Sequence, residues 1–231
     1  MFLKISANAD EITQRSPKSY TDHAACSLEE PEPKFLPPTK ILEPAYPLPT
    51  ENVDTDQIIP ARFLKATERV DFDINFFRDW RYNSDGTPKA DFPLNKEIYA
   101  GSKILVGGRN FGSGSSREHA AWSVYDFGLR CVISSAFADI FKNNCLNVGV
   151  LPVQVSPAFA DTLFAAIMAD PKTAIKVDLP NQTVTLVATG ESESFEINTY
   201  KKENMLNGFD DIDYLKNMEN EISAFAETRP F

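Results

Sequence analysis

Ile104-Leu105-Val106-Gly107-Gly108-Arg109-Asn110-Phe111-Gly112-Ser113-Gly114-Ser115-Ser116-Arg117-Glu118-His119 is an apolar run that empties into a glycine-rich loop and then a helical pattern. A strand, a flexible loop and a helix start in that order make a place to hold an anion. The first helical turn leaves N–H groups unpaired, and the helix dipole adds partial positive charge there. Gly112 and Gly114 let the backbone bend closely, and Ser115, Ser116 and Arg117 supply donors. The stretch is neither a dinucleotide fingerprint, because Arg117 stands where the third glycine belongs, nor a P-loop, because no Gly-Lys-Ser/Thr follows. A purely structural account also fits part of it. Ser115-Ser116-Arg117-Glu118 has capping-box spacing, with Ser115 as N-cap and Glu118 returning a hydrogen bond. His119 equally suits a packed helix residue or a functional one.

Working outward, Lys103–Val106 reads as a strand and Ser116–Phe127 as a helix closed by Gly128. Downstream come a strand at Arg130–Ser134, a short helix at Phe137–Asn144, a strand at Val148–Val155 and a helix at Pro157–Ala169 with Pro157 in its first turn. Strands at Ala174–Leu179 and Thr183–Ala188 flank a short turn, Phe195–Ile197 is a candidate third strand, and Tyr200–Ala226 reads as helical. In that tail Ile212, Leu215, Met218, Ile222 and Phe225 recur at spacings of three and four. Upstream, Ile41–Pro47 looks like an edge strand, since Pro44 and Pro47 bar it from a sheet centre. Glu51–Pro60 reads as a loop, and Ile74–Tyr82 holds the aromatic cluster Phe76, Phe77, Trp80 and Tyr82. Strands alternating with helices place the chain in the α/β class.

Residues 1–40 mix Pro, Ser, Glu and Lys without periodicity and read as an irregular extension, with a short strand expected at Met1–Ile5. The segment has neither the apolar centre of a signal peptide nor the arginine-rich character of a transit peptide. The remainder, 41–231, is expected to form one domain. With 231 residues, 42% of them hydrophobic, a sizeable core is available, and no run is long enough for a membrane span. A formal charge of −10 argues against nucleic acid as partner but leaves small anions open, because a few arginines can make one pocket positive. Arg62, Arg69, Arg109 and Arg117 lie near the candidate loops. Cys26, Cys131 and Cys145 show no paired spacing, which suits a reducing cytoplasm and ordinary buried thiols better than secretion or an iron–sulfur site. His23 and His119 have no partners at zinc-ligand spacing.

A second constellation is Asn52-Val53-Asp54-Thr55-Asp56-Gln57. It fits an Asx turn, or a pair of carboxylates that orients arginines; the further oxygens of a calcium loop are missing. Taken with Ile58-Ile59-Pro60, with Asn110 to His119, and with Phe137-Ala138-Asp139-Ile140-Phe141, it resembles the small subunits of 3-isopropylmalate dehydratases. Those chains are the swivel domain of the aconitase superfamily carried as a separate polypeptide, and the similarity runs from about Ile41 to Ala226.

The resemblance implies a swivelling β/β/α domain, a compact sheet flanked by helices. It also implies a hydro-lyase of leucine biosynthesis that converts 2-isopropylmalate into 3-isopropylmalate through isopropylmaleate. The 4Fe–4S cluster of such enzymes belongs to a large subunit, so this chain would bind no cofactor itself and be inactive alone. By motif, Ser115 matches the base, Arg117 and Ser116 match substrate-binding positions, and Asp56 and Thr55 match a site-facing pair. Gly112 and Gly114 belong to the substrate loop, and Glu118 and His119 to its support. Ile58 and Ile59 open an apolar stretch running to Lys65, where an isopropyl group would need a pocket. A mobile loop after Ile59 would complete that pocket. A homoaconitase-type subunit acting on a tricarboxylate, and a stand-alone anion-binding module, remain alternatives.

Overall fold

The computed structural model describes residues 34–64 and 72–229. The expectations for Met1–Ile5, His23, Cys26, Lys65 and Arg69 lie outside those residues, as does most of the N-terminal extension.

The strands divide between two four-stranded sheets. β1 (Lys40–Glu43) opens one sheet and β2 (Ala45–Leu48) the other. The expected edge strand is thus two edge strands broken at Pro44, which lacks the N–H that a continuing ladder would use. Between β2 and β3 (Ile104–Gly107) the described residues hold three single-turn α-helices, α1 (Thr55–Ile58), α2 (Phe72–Asn75) and α3 (Arg78–Arg81), and three short 3₁₀ turns. Next come α4 (Glu118–Asp126), β4 (Cys131–Ser134), α5 (Asp139–Val148), β5 (Leu151–Gln154) and α6 (Pro157–Ala169). β6 (Ile175–Asp178), β7 (Thr183–Leu186), β8 (Ser192–Ser194), α7 (Thr199–Asn207), α8 (Asp211–Asn217) and α9 (Glu219–Thr228) complete the order.

Strands β2-β3-β4-β5 pair in that order, all parallel, with Ala45, Ile104, Cys131 and Leu151 in one row. β2, β3 and β4 are buried throughout, as continuous apolar runs in a parallel sheet must be when covered on both faces. α4 packs on α5 and α2, and α6 packs along β2 and β3. The second sheet, β1-β6-β7-β8, is antiparallel, and β7 alternates half-buried and buried residues, the pattern of a sheet with one packed face.

Two expectations fail locally. The last strand of the antiparallel sheet is Ser192–Ser194, not Phe195–Ile197. The tight turn in which Thr189 and Gly190 N–H both donate to the Leu186 carbonyl, while Leu186 N–H donates to the Glu191 carbonyl, fixes Thr185 opposite Ser192, and the pairing ends at Ser194. The C-terminal tail is helical but in three pieces. Gly208 ends α7, a capping box on Asp210 restarts the chain as α8, and Met218 separates α8 from α9. Ile212, Leu215, Ile222 and Phe225 are exposed rather than packed into the core.

The aromatic cluster is as expected, and it holds up the loop beside it. Phe72, Phe76 and Phe77 are fully buried, and Phe77 stacks on Trp80 with ring centroids 5.2 Å apart. The Phe77 N–H donates to the Ile58 carbonyl at 2.7 Å, tying the cluster to the end of α1.

Candidate active site

In a parallel sheet the crevice that binds ligands lies beyond the carboxyl ends of the strands. Here the loops leaving β2, β3 and β4 carry the three motifs, and the backbone stitches them together. Gly108 N–H donates to the Leu48 carbonyl at 2.9 Å, and Asn52 N–H to the Arg109 carbonyl at 2.8 Å. Both Gly112 and Ser113 donate to the Val53 carbonyl, at 2.8 and 2.9 Å, and Thr55 N–H donates to the Ser113 carbonyl at 2.8 Å. On the other flank Phe111 N–H reaches the Ala136 carbonyl, and Ala138 N–H returns to the Phe111 carbonyl, each at 3.0 Å. Motifs far apart in sequence therefore form one rigid rim.

Two glycines make that rim possible. Gly112 has φ +79° and is buried, and a Cβ there would overlap the Phe141 ring. Gly114 has φ +88°, and its Cβ would fall on the Asp54 carboxylate. Side chains rarely adopt either conformation, and here neither would find room.

The rim encloses a cleft of about 240 Å³. Thr55 lines it from α1; Gly112, Gly114, Ser115, Ser116 and Arg117 from the glycine loop; Ala138 to Phe141 from the start of α5. Ser115 and Ser116 are exposed on it. Arg117 is the single cationic side chain among the described residues that line the cleft; Arg62 instead pairs with Asp79, away from it.

The local order at Ser115 differs from the sequence expectation. Ser115 does not cap α4, and Glu118 returns no bond. The N-cap is Arg117, extended at φ −139° and ψ 108°, with no side-chain cap. The glycine-directed bends hold the chain out of helical geometry until Glu118, so both serines stay on the loop. The capping box lies across the cleft on α1. There the Asp54 carboxylate accepts from Asp56 N–H at 2.6 Å, and Gln57 Oε1 accepts from Asp54 N–H at 2.8 Å.

The remaining predicted residues take defined places. Thr55 is buried, and its hydroxyl donates to the Ser115 carbonyl at 2.8 Å, so it holds the serine's backbone. Asp56 does not line the cleft; its carboxylate takes both terminal nitrogens of Arg117, with Nη2 to Oδ2 at 2.8 Å. The Arg117 side chain is 14% exposed, and this bidentate grip fixes its plane. Two of the five guanidinium N–H donors are thereby engaged, leaving three for another acceptor. Glu118 is exposed at the first position of α4. His119 is half-buried between Phe72 and Trp122, with centroids 5.7 and 4.7 Å away, as a packing residue would be.

Ile58 and Ile59 correct the expectation of an apolar substrate wall. Both are completely buried in the core beside the aromatic cluster and offer the cleft no surface. The sequence reading also gave no role to Ala138, Asp139 and Ile140, although these close the far side of the cleft. Their signal was the Phe-Ala-Asp-Ile-Phe motif after β4, at the same strand end as the other two motifs.

Cys131 and Cys145 do not suit an iron–sulfur cluster. Both are fully buried, and burial pushes both thiols up, away from the thiolate that ligation requires. The described residues contain no group of three or more His, Cys, Asp or Glu arranged to hold a metal ion.

Residues 42–158 match the family described as Aconitase C-terminal domain, and residues 161–199 match LeuD_N. A 3-isopropylmalate dehydratase small subunit from Cytophaga hutchinsonii is 56% identical over 185 residues, spanning 80% of this chain and 92% of that one. The chain belongs to the 3-isopropylmalate dehydratase small-subunit family. The small subunit from Chloroflexus aurantiacus is 47% identical across 84% of this chain and 96% of its own. The crystal structure of a 3-isopropylmalate dehydratase chain from Methanocaldococcus jannaschii superposes with a TM-score of 0.59 at 24% identity. It covers 80% of this chain and 99% of the other, and it confirms the fold. As members of one family, the curated relatives and this chain share the status of a small subunit in a hydro-lyase assembly. No helix among the described residues is long and apolar enough to cross a membrane.

Proposed function

We infer that this chain is the small subunit of a 3-isopropylmalate dehydratase, a cytoplasmic hydro-lyase that interconverts 2- and 3-isopropylmalate through isopropylmaleate. One observation carries the reading: an exposed serine sits on a glycine-bent loop, held through its carbonyl, in a cleft whose single cation among the described residues is a carboxylate-oriented arginine.

Ser115 is the residue we assign as base, taking the proton from the carbon next to a substrate carboxylate. A serine hydroxyl is far too weak a base in water and needs its alkoxide stabilised by fixed positive charge. Arg117, two residues on, supplies that charge, and its uncommitted N–H donors bind a substrate carboxylate. Ser116 adds a hydroxyl donor on the same rim. Asp56 works through Arg117 and Thr55 through the Ser115 carbonyl, so both position rather than bind. Gly112 and Gly114 allow the loop to take that shape. His119 and Glu118 support α4.

The leaving hydroxyl requires a Lewis acid, which we assign to a 4Fe–4S cluster on a large partner subunit, in keeping with the burial of Cys131 and Cys145. The glycine loop then closes over substrate held by that partner, and 41–231 acts as one swivel domain. Mixing this chain with a cluster-bearing large subunit tests the reading. Turnover of 2-isopropylmalate by the mixture, with none by either chain alone, is the expected result. Preference for homocitrate would make the complex a homoaconitase instead.

A further inference from the structure

A surface helix ordinarily turns its apolar side chains toward the protein and its polar ones to water. α8 does the reverse. Its inward contacts are polar or aromatic. Asp213 is buried and pairs with Lys34 at 3.2 Å, the Asp211 carboxylate accepts from the Tyr200 hydroxyl at 2.7 Å, and Tyr214 packs edge-on against Tyr200. With those contacts setting the helix's orientation, Ile212 and Leu215 are left to solvent. α9 adds Ile222 and Phe225, and all ten of its residues are exposed. The four apolar side chains recur at spacings of three and seven and are between 48% and 60% exposed. A single exposed apolar residue needs no explanation, whereas a row of them marks a place where something docks. A helix as short as α9 is also marginal in water without packing.

Two features of the molecule choose the occupant. The first is charge. α9 carries Glu219, Glu221 and Glu227 and neither lysine nor arginine. A second copy laid along this face would set glutamates against glutamates, so the charge disfavours self-pairing and suits a different chain with basic residues around an apolar groove. The second is position. Asp139 lines the catalytic cleft and also a wider hollow of about 730 Å³, whose far wall includes Asn198 and Lys201. Lys201 in turn pairs with Asp211 on α8. The surface thus runs from the cleft to α8, and a polypeptide that closes over the first is placed to reach the second.

We propose that the outward apolar face of α8 and α9 is a docking surface for the large subunit, which meets it with an apolar groove bordered by basic side chains. The proposal rests on the functional reading above, which supplies the partner, and it locates a contact outside the catalytic cleft that holds the two chains together.

The test uses the full chain and the cluster-bearing large subunit, measuring subunit affinity by calorimetry and turnover of 2-isopropylmalate at saturating large subunit. For Ile222→Ser combined with Phe225→Ser, affinity should fall about 30-fold or more. kcat at saturation should stay within about twofold, because neither residue lines the cleft. The thermal midpoint of the isolated chain should not move, because both side chains are exposed there. Phe225→Leu should keep most of the affinity, and Glu221→Lys should slow association, more so at low salt. Wild-type affinity in the double variant overturns the proposal. So does a lowered midpoint, which would make the face part of the chain's own packing. An isolated wild-type chain that sediments as a dimer, and a double variant that sediments as a monomer, would give the face to a second copy and overturn it too. A wild type that neither binds the large subunit nor turns over substrate with it overturns the functional reading as well; an active complex with unmoved affinity overturns the docking face alone.

Discussion

Two helix starts face each other across the cleft, and they are built in opposite ways. At α1, Asp54 caps the first turn and Gln57 closes a reciprocal box. At α4, Arg117 occupies the N-cap with no side-chain bond, although Ser115 before it and Glu118 after it stand at capping-box spacing. The first arrangement spends its polar side chain on stability. The second withholds its serine from the helix and leaves it exposed on the cleft. A cap contributes about 1 kcal/mol, and the loop at α4 forgoes it. The difference teaches that the polar groups of α1 serve as scaffold, while those before α4 are kept available for a ligand.

The contrast can be broken or sharpened by substitution. Ser115→Ala should give the largest effect, a loss of turnover of about 10²–10⁴-fold in the reconstituted complex, the range expected for removing a positioned base. Its thermal midpoint should not move, because no cap is lost; a midpoint drop like that of a missing cap would place Ser115 on the structural side. Arg117→Lys comes next. Lysine keeps the charge but cannot make the bidentate fork with Asp56. Steady-state kinetics should show about 10²-fold lower kcat/KM, and near-normal kinetics would mean that charge alone matters there.

Asp54→Ala should act on the other side of the comparison, lowering unfolding free energy by about 1 kcal/mol in a denaturant titration. Activity should fall only as far as α1 shifts Thr55 and Asp56, and Asp54→Asn, a good cap, should recover both quantities. If Asp54→Ala left stability unchanged, the box at α1 would carry no weight. Glu118→Gln should have the smallest effect, within about 0.5 kcal/mol in stability, because its side chain returns no capping bond.

Much of this was legible in sequence. The strand–glycine loop–helix passage, the Asp-Thr-Asp stretch and the Phe-Ala-Asp-Ile-Phe motif do converge, since each follows a strand of one parallel sheet. Helix α6 has the expected ends because a proline in the first turn and Ser156 ahead of it mark its start locally. What escaped depends on long-range packing. The apolar pair Ile58-Ile59 suits a pocket or a core equally well, and only the aromatic residues in and between α2 and α3 decide for the core. The Thr55 hydroxyl meets the Ser115 carbonyl across sixty positions, which no local pattern encodes. The break at Pro44 was visible as a sheet edge, but not as the point where the chain passes from one sheet to the other.

The assignment of Ser115 is tested most directly by hydrogen exchange at the reacting carbon. Substrate carrying deuterium on the carbon that loses its proton would be incubated with reconstituted complexes, wild type and Ser115→Ala, and its label followed by NMR. Wild type should wash the deuterium into water, while the variant, still binding substrate, should retain it over many wild-type turnover times. Washout by Ser115→Ala at the wild-type rate would contradict the account.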